Sequence, residues 1–357
     1  MDTDVLIIGS GQCGLAASRE LRERGVAHEI LTADDAPGDA WRRRWETLRL
    51  FTPARFDALP GMRFPASPRY APSGGEFADY LEVYAERIHA PLHTGVTVSR
   101  VSRAAAGGFA IHSDKGVWRA ARVIVATGGD TRAHIPELSS RLDPGIAQLH
   151  TGQYRRPTDL AGARVLVVGC GTSGVQLGIE LARSGRHVTV AGRPTVHVPR
   201  RLLAVAGGAW FAVLHHVLTL ATPVGRKAAQ RAPYVGAPLI GIGPADLDAA
   251  GAARGPRLTG VVDGMPQLED GRVIECDAVL WVTGYRPELG WIDGLALDDR
   301  GLPAHERGLL SEAPGLAFLG LPFQYGLTST LIGGAGRDAA HVASAFASEA
   351  ARRDSVE

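Results

Sequence analysis

At 357 residues the chain is longer than one compact core usually holds, and the usual figure of about 150 residues per domain predicts two domains. Its composition, 45% apolar with a net charge of +1, is that of an ordinary globular protein, which excludes a basic nucleic-acid footprint or an overall charge that recruits a membrane. Three cysteines, Cys13, Cys170 and Cys276, stand far apart and odd in number, which excludes a disulfide framework and argues for a reducing, cytoplasmic compartment.

Met1-Asp2-Thr3-Asp4 lacks the basic start of an export signal and leads into Val5-Leu6-Ile7-Ile8, which reads as a fully buried strand. Gly9-Ser10-Gly11-Gln12-Cys13-Gly14 follows, then an amphipathic helix from about Leu15 to Arg24, closed by Gly25. In such a turn the first glycine permits the bend, the second lets backbone approach a pyrophosphate, and the third lets helix pack on strand. The pyrophosphate then rests on the helix N-terminus. The next strand, His28-Glu29-Ile30-Leu31, ends at Thr32 and Ala33, so a hydroxyl stands where a ribose-binding carboxylate is expected, a weaker partner.

The pattern returns as Val165-Leu166-Val167-Val168, Gly169-Cys170-Gly171-Thr172-Ser173-Gly174 and a helix to about Ser184, closed by Gly185. Two dinucleotide sites are implied, each in the strand, turn and helix context that the chemistry requires. The strand His187-Val188-Thr189-Val190-Ala191 ends in Gly192-Arg193, with no carboxylate to repel a 2′-phosphate and an arginine to pair with one, which favours NADPH over NADH. Leu202 to Gly225 contains no Lys, Arg, Asp or Glu, but Gly207-Gly208, His215-His216 and Pro223 interrupt it. Buried helices or a pocket wall are expected there, with contact at a membrane surface the lesser alternative.

Several segments carry a family resemblance. Pro37-Gly38-Asp39-Ala40-Trp41 with Leu48-Arg49-Leu50-Phe51-Thr52-Pro53, the strand Val123 to Ala126 running into Thr127-Gly128, its counterpart Ala278 to Thr283-Gly284-Tyr285-Arg286-Pro287, and the stretches Gly315 to Pro322 and Ser329 to Ala343 are similar to those of class B flavin-dependent monooxygenases, in the compact bacterial, CzcO-like branch. The resemblance covers nearly the whole chain. It implies an α/β fold of two Rossmann-like domains, the second inserted in the first: an FAD-binding domain at residues 1–152 and 280–357, and an NAD(P)-binding domain at 153–279 with a helical pocket segment at 202–230. FAD would take Gly9, Ser10, Gly11, Gln12, Cys13, Gly14, Thr32, Ala33, Gly38, Trp41, Arg49, Thr52, Val98, Thr127, Gly128 and Gln324. NADPH would take Gly169, Gly171, Thr172, Ser173, Gly174, Gly192, Arg193, Thr283 and Gly284. The expected helix after Ser329 would point its N-terminus at the flavin ring. Trp41 reads as a packing residue over the flavin, His150 as a hinge candidate between the domains, and no residue as a certain catalytic group or metal ligand.

The activity so implied is NADPH-dependent insertion of one oxygen atom from O2 into a small organic substrate by way of a peroxyflavin. Tyr154, four residues after His150, stands where ketone-oxidising relatives commonly carry Trp, which leans toward N- or S-oxidation over Baeyer–Villiger chemistry. The family pattern is departed from at Pro144 and Ile146, where Phe and Gly are expected, at Phe51, where animal-type members carry Asn, and at Asp39, where a second glycine is common. Three other readings stand beside it: a disulfide reductase, which needs two neighbouring thiols that this chain lacks; a thiol-free NAD(P)H oxidase or reductase; and a flavin-binding protein without turnover.

Overall fold

The computed structural model describes residues 2–129, 132–193, 195–231 and 238–354. Runs of aliphatic residues make the centre of two sheets. Val5, Leu6 and Ile7 have no exposure, so both faces of β1 (Asp2–Ile8) are covered, as in a parallel sheet flanked by other layers. β1 runs parallel to β2 (His28–Leu31) on one side and to β6 (Gly116–Val125) on the other, with Ile8 in register with Leu31 and Val125. β3 (Leu92–His93) extends the sheet beyond β2. β4 (Val98–Arg103), β5 (Phe109–Ser113) and β6 form an antiparallel meander, so this first sheet is mixed. β18 (Leu316–Phe318) pairs in parallel with the second half of β6. The helices α1 (Gln12–Glu23) and α8 (Ile332–Asp354) pack along each other, with α2 (Asp39–Arg42) and α3 (Gly74–Arg87) beside them.

The second sheet is wholly parallel, in the order β13 (Ala253–Gly255), β10 (His187–Ala191), β9 (Arg164–Val168), β16 (Ala278–Trp281) and β8 (Ala147–His150). α4 (Thr172–Arg183) connects β9 to β10, and α7 (Pro244–Ala249) packs on it. Hydrogen bonding corrects the expected boundaries. β8 lies before residue 152 and β16 runs past residue 279, yet both belong to the second sheet, because Ala147 to His150 run in parallel register with Ala278 to Trp281. The chain crosses between the sheets twice, and the two crossings meet as an antiparallel pair, β7 (Arg132–Ala133) with β17 (Tyr285–Arg286). Smaller pairs, β11 (His197–Val198) with β12 (Leu239–Ile240) and β14 (Leu258–Val262) with β15 (Met265–Leu268), complete the strands.

The segment expected to be helical at 202–230 forms two helices, α5 (Arg200–His216) and α6 (Pro223–Arg231), with a turn between them. Residues 232–237, which follow α6, lie outside the described residues. Among the described side chains, Phe211 and Leu214 of α5 are buried while Val213, Val217 and Val224 are exposed, so these helices are covered on one side, as a pocket wall is. The C-terminal helix starts later and runs longer than expected: a 3-10 turn occupies Leu327–Thr330, and α8 follows from Ile332.

Candidate active site

The two glycine turns have the same build. Gly9 (φ +106°) and Gly169 (φ +127°) hold backbone angles that side-chain-bearing residues rarely adopt. A Cβ on Gly9 would lie 2.6 Å from the Ala126 carbonyl oxygen, and one on Gly169 2.2 Å from that of Val282, so each glycine lets its strand end abut the neighbouring strand end. A Cβ on Gly14 or Gly174 would lie 1.9 or 1.8 Å from the carbonyl oxygen of Gly9 or Gly169, which is the close packing of helix on strand. Gly11 and Gly171 differ, since a Cβ there meets nothing within 4 Å. They are the N-caps of α1 and α4, with no side-chain cap and no acidic residue in the first turn. Each helix therefore presents unsatisfied N–H groups and a positive dipole end to open space, which is what a pyrophosphate requires. The residues present fit a dinucleotide at both turns.

Around the first turn, Ser10 donates to the Thr32 hydroxyl at 3.0 Å, and both are buried. Thr32 thus closes the strand end where a carboxylate was expected, while Ala33 beside it is exposed. Trp41 donates its indole N–H to Gln12 at 3.4 Å and meets Phe77 edge-on, standing over the first residue of α1. Gly38 serves packing: its φ is +92°, and a Cβ there would come within 2.7 Å of the Ala78 backbone in α3. Cys13 has its thiol pushed up to about 12 by burial, with Asp338 of α8 adding to the shift. Thr127 and Gly128 lie exposed at the end of β6, and Val98 is half-buried at the start of β4.

Three expected FAD contacts are spent elsewhere. Gln324 has no exposure; its amide donates to the Arg307 carbonyl at 3.1 Å and accepts from the Leu321 N–H, so it braces two loops and presents no surface to a ligand. Arg49 is turned outward, stacked on Tyr70 and 3.4 Å from Glu76, whose carboxylate also completes the cap of α3 with Ser73. The Thr52 hydroxyl donates to Asp57, and both residues are buried. Burial pushes the Asp57 carboxyl up to about 7, opposed by that bond.

Around the second turn, the Thr172 hydroxyl donates to the Pro238 carbonyl at 3.0 Å, and Ser173 is half-buried. Gly192 allows β10 to end against the turn, since a Cβ there would stand 2.6 Å from that of Cys170. Arg193, next in the chain, is exposed and makes no ion pair among the described residues. Thr283 donates to the His134 carbonyl, joining the two crossings, and Gly284 (φ +77°) follows it as Gly128 (φ +77°) follows Thr127.

His150 is 1% exposed at the end of β8. Its Nδ1 accepts from the Gly152 N–H at 3.1 Å and its Nε2 faces the Gly284 carbonyl at 3.0 Å, so the partners assign the proton to Nε2. The Nε2 contact ties the end of β8 to the second crossing, and the Nδ1 contact ties it to the turn that follows β8. Tyr154 is fully buried beside Glu180 of α4, and Ile146 lies in the core at the far end of β8. The departures at Pro144 and Ile146 therefore fall away from the turns.

Sequence reasoning missed three features. Asp57 is one: a single acid within Phe56-Asp57-Ala58-Leu59 follows no period that marks it as buried. A second is Asp338, 2% exposed on α8 near Ser329, whose hydroxyl accepts from the Tyr325 and Gly326 amides at 3.1 Å each. The third is a clasp: His215 of α5 meets Thr328 at 3.1 Å, and Arg337 of α8 donates to the His215 carbonyl at 2.6 Å and to Thr328 at 3.2 Å. Thr219 also bridges to Gly326, and Phe211 packs on Phe56 with ring centroids 4.3 Å apart. These contacts lay α5 across the elements of the first sheet. Among the described residues no cluster of His, Cys, Asp and Glu could hold a metal, and no helix is long and apolar enough to cross a membrane.

Two α/β units, each with a glycine turn fit for a dinucleotide, mark the fold of a two-dinucleotide oxidoreductase. Residues 6–201 match the model of the pyridine nucleotide-disulphide oxidoreductase family. An uncharacterized CzcO-like oxidoreductase of Geobacillus kaustophilus is 33% identical over 95% of this chain and 97% of its own length. The indole-3-pyruvate monooxygenase YUCCA1 of Oryza sativa is 30% identical over 80% and 78%. A flavin-containing monooxygenase from Stenotrophomonas maltophilia superposes with a TM-score of 0.79 at 28% identity, covering 98% of this chain and 99% of that one. The chain belongs to the pyridine nucleotide-disulphide oxidoreductase family, in its class B flavoprotein monooxygenase branch, and is a flavin-dependent oxidoreductase.

Proposed function

We propose that this protein is a cytoplasmic, NADPH-dependent monooxygenase that places one oxygen atom from O2 on a soft nucleophile, an amine nitrogen or a sulfur. The observation that carries the reading is the pairing of two open turns with thiols unsuited to redox relay. The three cysteines are free, none adjoins another in sequence, and burial holds the Cys13 and Cys276 thiols up at about 12 and 11. A disulfide reductase passes electrons through a low-pKa thiol pair. Dispersed thiols held in the protonated form weigh against that route and favour O2 with a small acceptor.

Bound FAD would supply hydride acceptance and oxygen activation. The chain's own residues do the rest. The N–H groups behind Gly11 hold the FAD pyrophosphate, with Trp41 and Gln12 over the first turn of α1. The N–H groups behind Gly171 hold the NADPH pyrophosphate, and Arg193 pairs with its 2′-phosphate. His150 and the β7–β17 pair set one turn against the other, and the inner face of α5 keeps water from the space between.

The test is turnover under 18O2 with NADPH against panels of amines and sulfides. One labelled atom per product, with about one NADPH consumed per product, is the expected result. Hydrogen peroxide as the sole product across both panels would replace this reading with an oxidase. In the same assay Arg193→Ala should raise the KM for NADPH roughly tenfold, the worth of a lost charge-assisted bond, and leave that for NADH unchanged.

A further inference from the structure

Among its described side chains α5 carries apolar residues on two faces, and one of the two is covered. The inner face, with Phe211 and Leu214, is clasped to the first unit; on the outer face Ala209, Val213 and Val217, each four residues after the last, are exposed, and Val224 in the first turn of α6 is exposed as well. Four of the ten large hydrophobic residues exposed among the described residues lie between Val196 and Val224. An exposed apolar strip of this kind marks an interaction surface.

Charge selects the occupant. Residues 200–231 carry five Lys and Arg and no Asp or Glu, in a chain whose net charge is only +1. Arg201 precedes the exposed strip, Arg226, Lys227 and Arg231 follow it, and all four are exposed. A symmetric contact with a second copy would set these cations against their own counterparts, which costs binding. An apolar strip rimmed by cations fits an anionic lipid surface. At 17 residues α5 is about 25 Å long, short of a hydrocarbon core of roughly 30 Å, so it would lie on the bilayer and not cross it.

We propose that the α5–α6 hairpin docks this protein on an anionic membrane surface, with Val213, Val217 and Val224 in the acyl boundary and the flanking cations on lipid phosphates. The proposal does not depend on the oxygenation chemistry. The test is co-sedimentation of the FAD-loaded protein with phosphatidylcholine vesicles, with and without phosphatidylglycerol, at low and high salt. Anionic vesicles should bind about tenfold or more tightly than neutral ones, and salt should erase the difference. Val213→Asp/Val217→Asp should abolish binding to both. Arg226→Glu/Lys227→Glu should remove the preference for anionic lipid alone. All four positions are exposed, and the absorbance of bound flavin checks that each variant folds. Absent or charge-indifferent binding of the native protein would overturn the proposal, as would a concentration-dependent dimer that Val217→Asp breaks in the absence of vesicle binding.

Discussion

Single atoms at the glycine turns separate packing from binding. Because a Cβ at Gly11 or Gly171 meets no protein atom within 4 Å, valine at either should leave the fold intact and fill the space for a pyrophosphate. Gly11→Val should yield a colourless, folded protein. Gly171→Val should stay yellow and resist bleaching by NADPH under anaerobic conditions, with unchanged circular dichroism in both. Gly174→Val would be a poorer probe, since its Cβ collides with Gly169 backbone and tests stability instead. Asp57 makes a second prediction. Its carboxyl, pushed up to about 7 from an ordinary 3.8, binds a proton in the folded state that the unfolded chain releases, so stability falls as pH rises from about 4 through 7. Asn mimics the protonated acid and still accepts from Thr52. Asp57→Asn should therefore raise Tm at pH 8, with the gain vanishing near pH 4.

At the scale of elements, the junction of α5 with the 3-10 turn and α8 is the part that acid should loosen. His215 is lowered to about 4 by burial, with Arg337 and His216 adding to the shift. The unfolded chain takes up this proton near 6.5 and the native chain does not until about 4, so the junction loses stability as pH falls between those values. His215→Asn keeps a polar group beside Thr328 without that titration. Its Tm should fall less than the native Tm between pH 7 and pH 5, as measured by differential scanning calorimetry; equal falls would show that the junction does not sense pH.

For the whole molecule, the proposed chemistry sets two dinucleotide turns beside three free cysteines that stand far apart in sequence. With oxidised glutathione as the sole acceptor and O2 removed, NADPH oxidation should stop after about one equivalent per flavin. Continuous turnover would return the chain to the disulfide-reducing chemistry named by its wider family.

The sequence by itself determined the repeated strand, turn and helix, since Val5 to Gly14 and Val165 to Gly174 carry local requirements: burial on both strand faces, a positive φ at the first glycine, an uncapped helix start. It also marked Thr127-Gly128 and Thr283-Gly284 as counterparts. Long-range pairing was decided only by tertiary structure. β8 reads equally well as the end of one unit or the start of the next until Ala147 to His150 meet Ala278 to Trp281. Gln324, Thr52 and Arg49 lie close in sequence to cofactor motifs, yet their hydrogen bonds go to Arg307, Asp57 and Glu76, because a polar side chain takes the partner nearest in space. The outer face of α5 was legible as apolar but not as exposed, since hydropathy records what a side chain prefers and only the packing of the rest of the chain decides whether that preference is met.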